Sequence, residues 1–322
     1  MANFRKPQAR KQGLKVLAYG EEGSGKSIFG LSFPKTAVVD SESKLGVYES
    51  DPEFGRNIVA VADTTNYYDT LELIEEVVKD PKTYNTLQID SETNIYDGMQ
   101  VACMEVEEER ARKKGGNIDD QTVSMRGYGK IKLNSARLKN LKAQASANGI
   151  TIVSIAHKED IFQKVGNENI KIGEKPALRK NSKHDYDVVL RFFKEKDLAT
   201  GEMKYFAEVE KDTTRTLKVG QVIEKISYEH FKPYIESNQK LDSVKTDYDK
   251  AINTNMEDMK REQQDFDSVV KEFTELFQAL KKKDASNVAK VTALLKEKEI
   301  DSYKNPEHFE KLQEVVGILK TM

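Results

Sequence analysis

The sequence predicts an α/β fold, a mostly parallel sheet with helices on both faces and an antiparallel extension, followed by a small all-α module. Three observations predict it. Gly20-Glu21-Glu22-Gly23-Ser24-Gly25-Lys26-Ser27 fits the template of a glycine, four residues and Gly-Lys-Ser, and it lies between a strand-like run and a helix-like one. Short apolar runs ending in carboxylates alternate with runs of helical period, the pattern of strands joined by crossover helices. Beyond residue 265 the apolar residues recur only at helical spacing.

Leu14, Val16, Leu17 and Tyr19 form the strand before the glycine-rich turn, and Ser27 to Ser32 begin the helix after it. Glycines let successive N–H groups point inward at the positive end of a helix dipole, which makes a cradle for phosphate. All eight residues from Gly20 to Ser27 are therefore expected at a nucleotide, with Lys26 reaching the outer phosphates and the Ser27 hydroxyl on Mg²⁺. Thr36 to Asp40 is a second strand, Tyr67 to Lys79 a helix stopped by Asp80-Pro81, and Thr86 to Asp90 a strand ending on a carboxylate. In a parallel sheet ligands bind outside the carboxyl ends of the strands, so Asp90 is the expected metal-shell acid opposite Ser27. Two carboxylates compete for the base that orients water, Glu42 after the second strand and Glu92 just past Asp90, and spacing alone does not choose between them.

A charged helix is expected over Ile95–Arg112, then a polar stretch, then a helix over Tyr128–Ala147 closed by Gly149. Ile150 to Ala156 is the next strand, with His157 at its end. The segment 158–183 reads as a long basic connection, and Tyr186–Phe193 and Tyr205–Val209 as the antiparallel extension. The core is expected over residues 1–235, a polar linker over 236–264 and a three-helix module over 265–322. Its third helix starts at Asn305-Pro306, a cap followed by a first-position proline.

Composition narrows the function. One third of the residues are charged, yet the net charge is −2, so any surface for nucleic acid must be local. The single cysteine, Cys103, excludes an intrachain disulfide and any cysteine cluster for zinc or iron–sulfur. The basic Met1–Gln12 stretch precedes no apolar run long enough for a signal peptide or membrane span, which leads to a cytoplasmic expectation.

Val38-Val39-Asp40-Ser41-Glu42, Leu87-Gln88-Ile89-Asp90-Ser91 and Ile152-Val153-Ser154-Ile155-Ala156-His157 resemble three strand ends of RecA-type recombinases, in the same order after the P-loop and over about residues 12–222. More narrowly, Arg126-Gly127-Tyr128-Gly129-Lys130, His157 and Lys211-Asp212-Thr213-Thr214-Arg215 resemble phage RecA-like ATPases of the single-strand annealing type, the fourth Sak group. The resemblance implies a RecA-like P-loop NTPase core that hydrolyses ATP with Mg²⁺. It implies Glu42 as the catalytic base beside Lys26 and Asp90, His157 as the sensor of the γ-phosphate, and Lys211 and Arg215 on the phosphates of a neighbouring subunit. It further implies a ring or filament that binds single-stranded DNA and promotes annealing or recombination of phage DNA in the bacterial host. DNA contacts are expected from Arg110, Arg112, Lys113, Lys114 and Arg126 in one loop, and from Lys158, Lys164, Lys171, Lys175, Arg179, Lys180 and Lys183 in another. The His at the strand end, where bacterial recombinases commonly carry Gln, and the lack of their N-terminal polymerisation helix set strand exchange aside. A second reading is a nucleotide-gated loader that acts on a single-stranded-DNA-binding or replication protein through the terminal helices; a kinase ranks last for want of an arginine-rich lid.

Overall fold

Lys15–Gly20 (β1) is buried along nearly its whole length, as a strand covered on both faces must be, and it forms the axis of the core. The computed structural model describes residues 6–7, 9–166, 168–239, 241 and 248–322. It divides into two compact units, residues 1–246 and 247–322. Part of the basic N-terminal stretch and residues 240 and 242–247 of the expected linker lie outside the described residues.

The first unit continues through Lys26–Leu31 (α1), Thr36–Asp40 (β2), the short Gly46–Glu49 (α2), Ile58–Asp63 (β3), Tyr67–Lys79 (α3), Thr86–Asp90 (β4), Glu92–Lys113 (α4) and Met125–Ala147 (α5). Then come Thr151–Val165 (β5), Glu168–Pro176 (β6), Val188–Lys196 (β7), Met203–Asp212 (β8), Val222–Glu224 (β9) and Lys232–Gln239 (α6). Among the described residues the strands lie in the order β3-β2-β4-β5-β1-β7-β8-β9, with β6 paired to β5 alone. Strands β3 to β7 along this path are mutually parallel, while β8 and β9 extend the sheet antiparallel. Helices cover both faces. Phe29 and Phe33 from α1 and its end pack with Phe231 and Ile235 against Val16, Ala18 and Leu190; on the other face α3, α4 and α5 bring Ile74, Ile95, Leu138 and Leu141 onto Val39, Ile89 and Ile152. The expected P-loop NTPase core with its antiparallel extension is what the chain forms.

One long connection follows the expectation and another departs from it. Helices α4 and α5 form an antiparallel hairpin: Glu92 meets Lys142, Cys103 meets the Gly127 carbonyl, and Glu107 meets Ser124 nearest the turn. The turn stands about 33 Å from Glu92, the length of the 22 residues of α4 at 1.5 Å per residue. The supposed basic loop after His157 is instead an arm of two strands. Strand β5 runs on past the sheet, and residues 158–165 pair only with β6, from Lys158↔Pro176 to Val165↔Glu168. Phe162, Val165, Ile170 and Ile172 are exposed on it. A two-stranded ribbon with both faces in water lacks the alternation that marks a half-buried strand, so its sequence reads as a loop. Strand β3, half-exposed at the sheet edge, was not expected either.

The second unit is all-α: Tyr248–Lys283 (α7), Asn287–Glu297 (α8) and Phe309–Leu319 (α9). Phe266, Phe273, Leu280, Val291, Leu312, Val315, Val316 and Leu319 make its core. The segment 248–264, read as linker for its polarity, is the first half of α7. Its charged and amide side chains suit an exposed helix as well as a coil, and polarity alone does not separate the two.

Candidate functional site

The register of the sheet assembles the site. Asp40 of β2 lies beside Asp90 of β4, and Gly20 of β1 beside His157 of β5, so the expected catalytic residues meet at one edge, where the parallel strands end. The glycines at this edge are there for geometry. A Cβ on Gly20 would fall 2.0 Å from the Phe192 carbonyl oxygen, because β7 comes close enough for that oxygen to accept the Glu21 N–H. Gly25 takes φ +93°, the left-handed turn that opens α1, with no atom within 4 Å of where a Cβ would stand. Ser24 closes the loop by donating its hydroxyl to the Glu21 carbonyl at 2.6 Å.

Lys26 is buried and donates its ammonium to the Gly20 and Glu21 carbonyls. Burial lowers its pKa, and the Asp90, Glu42 and Glu21 carboxylates only partly oppose that. Asp90 is pushed the other way: burial raises its carboxyl, a hydrogen bond from Ser27 offsets part of that, and the neighbouring Glu42 adds to the rise. A half-buried acid bonded to the P-loop hydroxyl is an oxygen pair suited to Mg²⁺, which takes one or two protein oxygens and completes its shell with water and phosphate. Among the described residues no group of three or more His, Cys, Asp or Glu is placed to hold a metal.

Glu42 stands on a turn built by Asp40, whose carboxylate accepts the Glu42 and Leu45 N–H groups at 3.0 and 2.7 Å. Ser41 accepts the Ser91 N–H and donates to the Ser91 carbonyl, locking the end of β2 to the end of β4. Glu42 Oε1 is 2.5 Å from His157 Nε2, and Oε2 accepts from Lys44 at 2.6 Å. Burial pushes its carboxyl up, but the hydrogen bonds from Lys44, His157 and Ser91 outweigh it and hold the carboxyl at about 2. The rival carboxylate is elsewhere. Glu92 turns beneath the sheet, where both of its oxygens accept from Lys142, at 2.8 and 2.7 Å, and Tyr186 donates to it at 2.7 Å.

Glu42, Asp90, His157 and the P-loop line one cavity of about 1410 Å³, and Glu92 does not. One wall beyond the loop carries Tyr48 and Phe54 edge to face, and the opposite wall carries Tyr205, Phe206 and Ile226. The chemistry this allows is polyphosphate binding between polar and aromatic surfaces. A family profile described as an AAA domain matches residues 12–222, more than half of the chain. The chain belongs to this family. A search of the curated proteins finds no match. An AAA domain binds and hydrolyses ATP, and this one does so in a P-loop NTPase core.

Within this AAA domain several of the expected residues lie away from the cavity. Lys211 and Arg215, expected on a neighbouring subunit's phosphates, do not line this chain's own cavity. Because β8 runs antiparallel to β7, Lys211 lies opposite Val189 near the far end of the sheet, where its ammonium donates to the Lys183 and Tyr186 carbonyls. The Thr213 N–H just before Arg215 binds the Asp187 carbonyl at that same end. Arg179, Lys180 and Lys183 leave the arm and pass along the sheet face, with Arg179 paired to Asp185 and Lys183 to Glu210. The remaining basic residues split into paired and unpaired ones. Arg110, Arg112 and Lys113 pair with Glu107, Glu108 and Glu109 on their own helix, and Lys158, Lys171 and Lys175 pair within the arm or with the P-loop. No ion pair joins Lys114, Arg126 or Lys164 to a carboxylate among the described residues.

Sequence reasoning missed the residues that support the site. Thr93 accepts the His157 N–H at 3.0 Å and donates to the Ala177 carbonyl at 3.1 Å, so one hydroxyl fixes both strands of the arm where they leave the sheet. Lys194 donates to the Glu22 carbonyl at 3.0 Å. Thr93 carried a weak signal, since it lies three residues past Asp90; Lys194 carried none, because its contact spans 172 positions.

Proposed function

We propose that this ATPase is a RecA-like protein of the single-strand annealing type, binding ATP with Mg²⁺ and coupling it to single-stranded DNA. The observation that carries the reading is the continuity of β5, which runs without a break from the sheet, past His157 beside the P-loop, into the exposed arm. Any change felt at His157 is delivered to the arm through one strand.

In this reading Gly20 to Ser27 hold the phosphates, and Ser27 and Asp90 hold Mg²⁺, which neutralises charge on the outer phosphates when bound. Glu42 orients the attacking water. With its carboxyl at about 2 it stays ionised throughout the neutral range, so it acts as a hydrogen-bond acceptor more than as a store for a full proton. His157 Nε2 is engaged with Glu42, so a bond from that nitrogen to a terminal phosphate would release the base. DNA would lie along the arm and the tip of the α4–α5 hairpin, with Lys164, Lys114 and Arg126 as its first phosphate contacts. Subunits would assemble into a ring or filament to span the strand.

A second reading has one observation in its favour: most of the expected DNA cations are already paired with carboxylates. It makes the chain a nucleotide-gated loader of a replication protein. ATP hydrolysis measured with and without single-stranded DNA, at low and moderate salt and with Lys26→Ala as the blank, separates them. Stimulation that fades with salt is expected from annealing. A rate indifferent to DNA would sink that reading and leave the loader.

A further inference from the structure

We propose that Lys158, at the foot of the arm, is a second phosphate-binding lysine of the nucleotide site, supplied by the same chain and held ready by Glu21. The inference rests on the nucleotide reading and departs from the expectation that Lys158 touches DNA. Lys158 follows His157 on β5 and lines the same cavity as the P-loop. Its ammonium is 3.3 Å from Glu21 Oε1, on the loop itself, and 2.7 Å from Glu174 Oε1 on β6. Asp160 stands at 4.0 Å.

The two main partners are not equivalent. Glu174 also binds Lys171 at 2.8 Å and approaches Arg191 at 3.5 Å, so it stays neutralised if Lys158 turns away. Glu21 has no other ion-pair partner among the described residues. It places a negative charge in a loop whose N–H groups and helix dipole are arranged for anions. A bound triphosphate brings several negative charges into that loop and outcompetes one carboxylate for a mobile ammonium. Lysine suits the exchange, being a compact charge with three donors on a flexible stem. Lys158 is next in sequence to His157, which binds Glu42, and lines the same cavity, so its ammonium is assigned to the terminal phosphate rather than to the base or sugar.

The test measures binding of a non-hydrolysable ATP analogue and of ADP to the full chain by titration calorimetry. Lys158→Met should weaken the triphosphate about tenfold or more, the worth of one charge-assisted hydrogen bond, and leave ADP within about twofold. Lys158→Arg should keep most of the triphosphate affinity. Glu21→Gln should tighten the triphosphate a few fold, a gain that damaged folding does not produce. Equal losses for both nucleotides, or none, would overturn the proposal. So would a Lys158→Met variant with intact nucleotide binding whose single-stranded DNA affinity loses about one unit of salt slope, since that marks a DNA phosphate contact. A wild-type chain that binds neither nucleotide would overturn the nucleotide reading itself along with this one.

Discussion

Glu42 and Glu92 lie near the ends of neighbouring strands and are both ionised, yet one faces a cavity and the other a sealed knot under the sheet. Around Glu92 the charged donors are committed: Lys142 binds both of its oxygens and Tyr186 binds one of them, all three groups being buried. Burial pushes the Glu92 carboxyl up, but Lys142 outweighs it and the acid stays low. Around Glu42 the partners are exchangeable. Lys44 is largely in solvent and His157 is half-exposed, so a ligand can take their places. Chemistry needs the second kind of environment; fold specificity is served by the first.

The sharpest break of this comparison is a pair of substitutions. Glu42→Gln is expected to lower kcat by about 10²- to 10⁴-fold with nucleotide affinity kept, whereas Glu92→Gln should lose stability and keep most of its turnover. Single-turnover hydrolysis with binding measured in parallel reads both, and the opposite assignment of the two phenotypes would make Glu92 the base. Next in size, Lys142→Met should cost about 3–5 kcal/mol in urea unfolding, because it strands a buried carboxylate. Adding Glu92→Leu should recover part of that loss, and a doubly substituted chain no more stable than Lys142→Met would show that the knot is not a closed pair.

Asp90→Asn sharpens the comparison from the active edge. Burial raises the Asp90 carboxyl, so its charged form costs stability above its folded pKa. The amide should raise the melting temperature of the nucleotide-free protein at neutral pH while weakening Mg²⁺–nucleotide binding. That advantage should shrink as pH falls and the aspartate protonates; an unchanged melting temperature would mean that the carboxylate bears no burial cost. The smallest effect concerns acid. Glu42 sits at about 2 against an ordinary 4.5, so its ion pairs stabilise the fold above about pH 4.5 and are lost as pH falls toward 2. Unfolding free energies from urea titration at pH 5 and pH 3 should therefore differ slightly less in Glu42→Gln than in wild type, by up to about 1 kcal/mol for groups this open to water.

Much of this edge was legible in the chain. The bounds of β2, α3 and β4 could be read directly, because buried parallel strands are nearly continuous apolar runs and Asp80-Pro81 stops α3. The P-loop, Asp90, Glu42 and His157 were legible because each ends or follows such a run. The pairing of the arm was hidden: its contacts run between charged side chains, and sequence shows charges without their partners.

The foot of the arm has a mechanical consequence. Beyond the Thr93 hydroxyl eight residues of β5 stand clear of the main sheet, a rod about 26 Å long at 3.3 Å per residue. The Thr93 hydroxyl is then a fulcrum at His157, beside the P-loop, with Lys158 the first residue of the rod and Phe162 to Val165 toward its far end. A tilt of about 10° at that point carries the tip about 4.5 Å, close to the spacing between neighbouring strands. Any small rotation at the foot is thus enlarged several fold at the outer end of the lever.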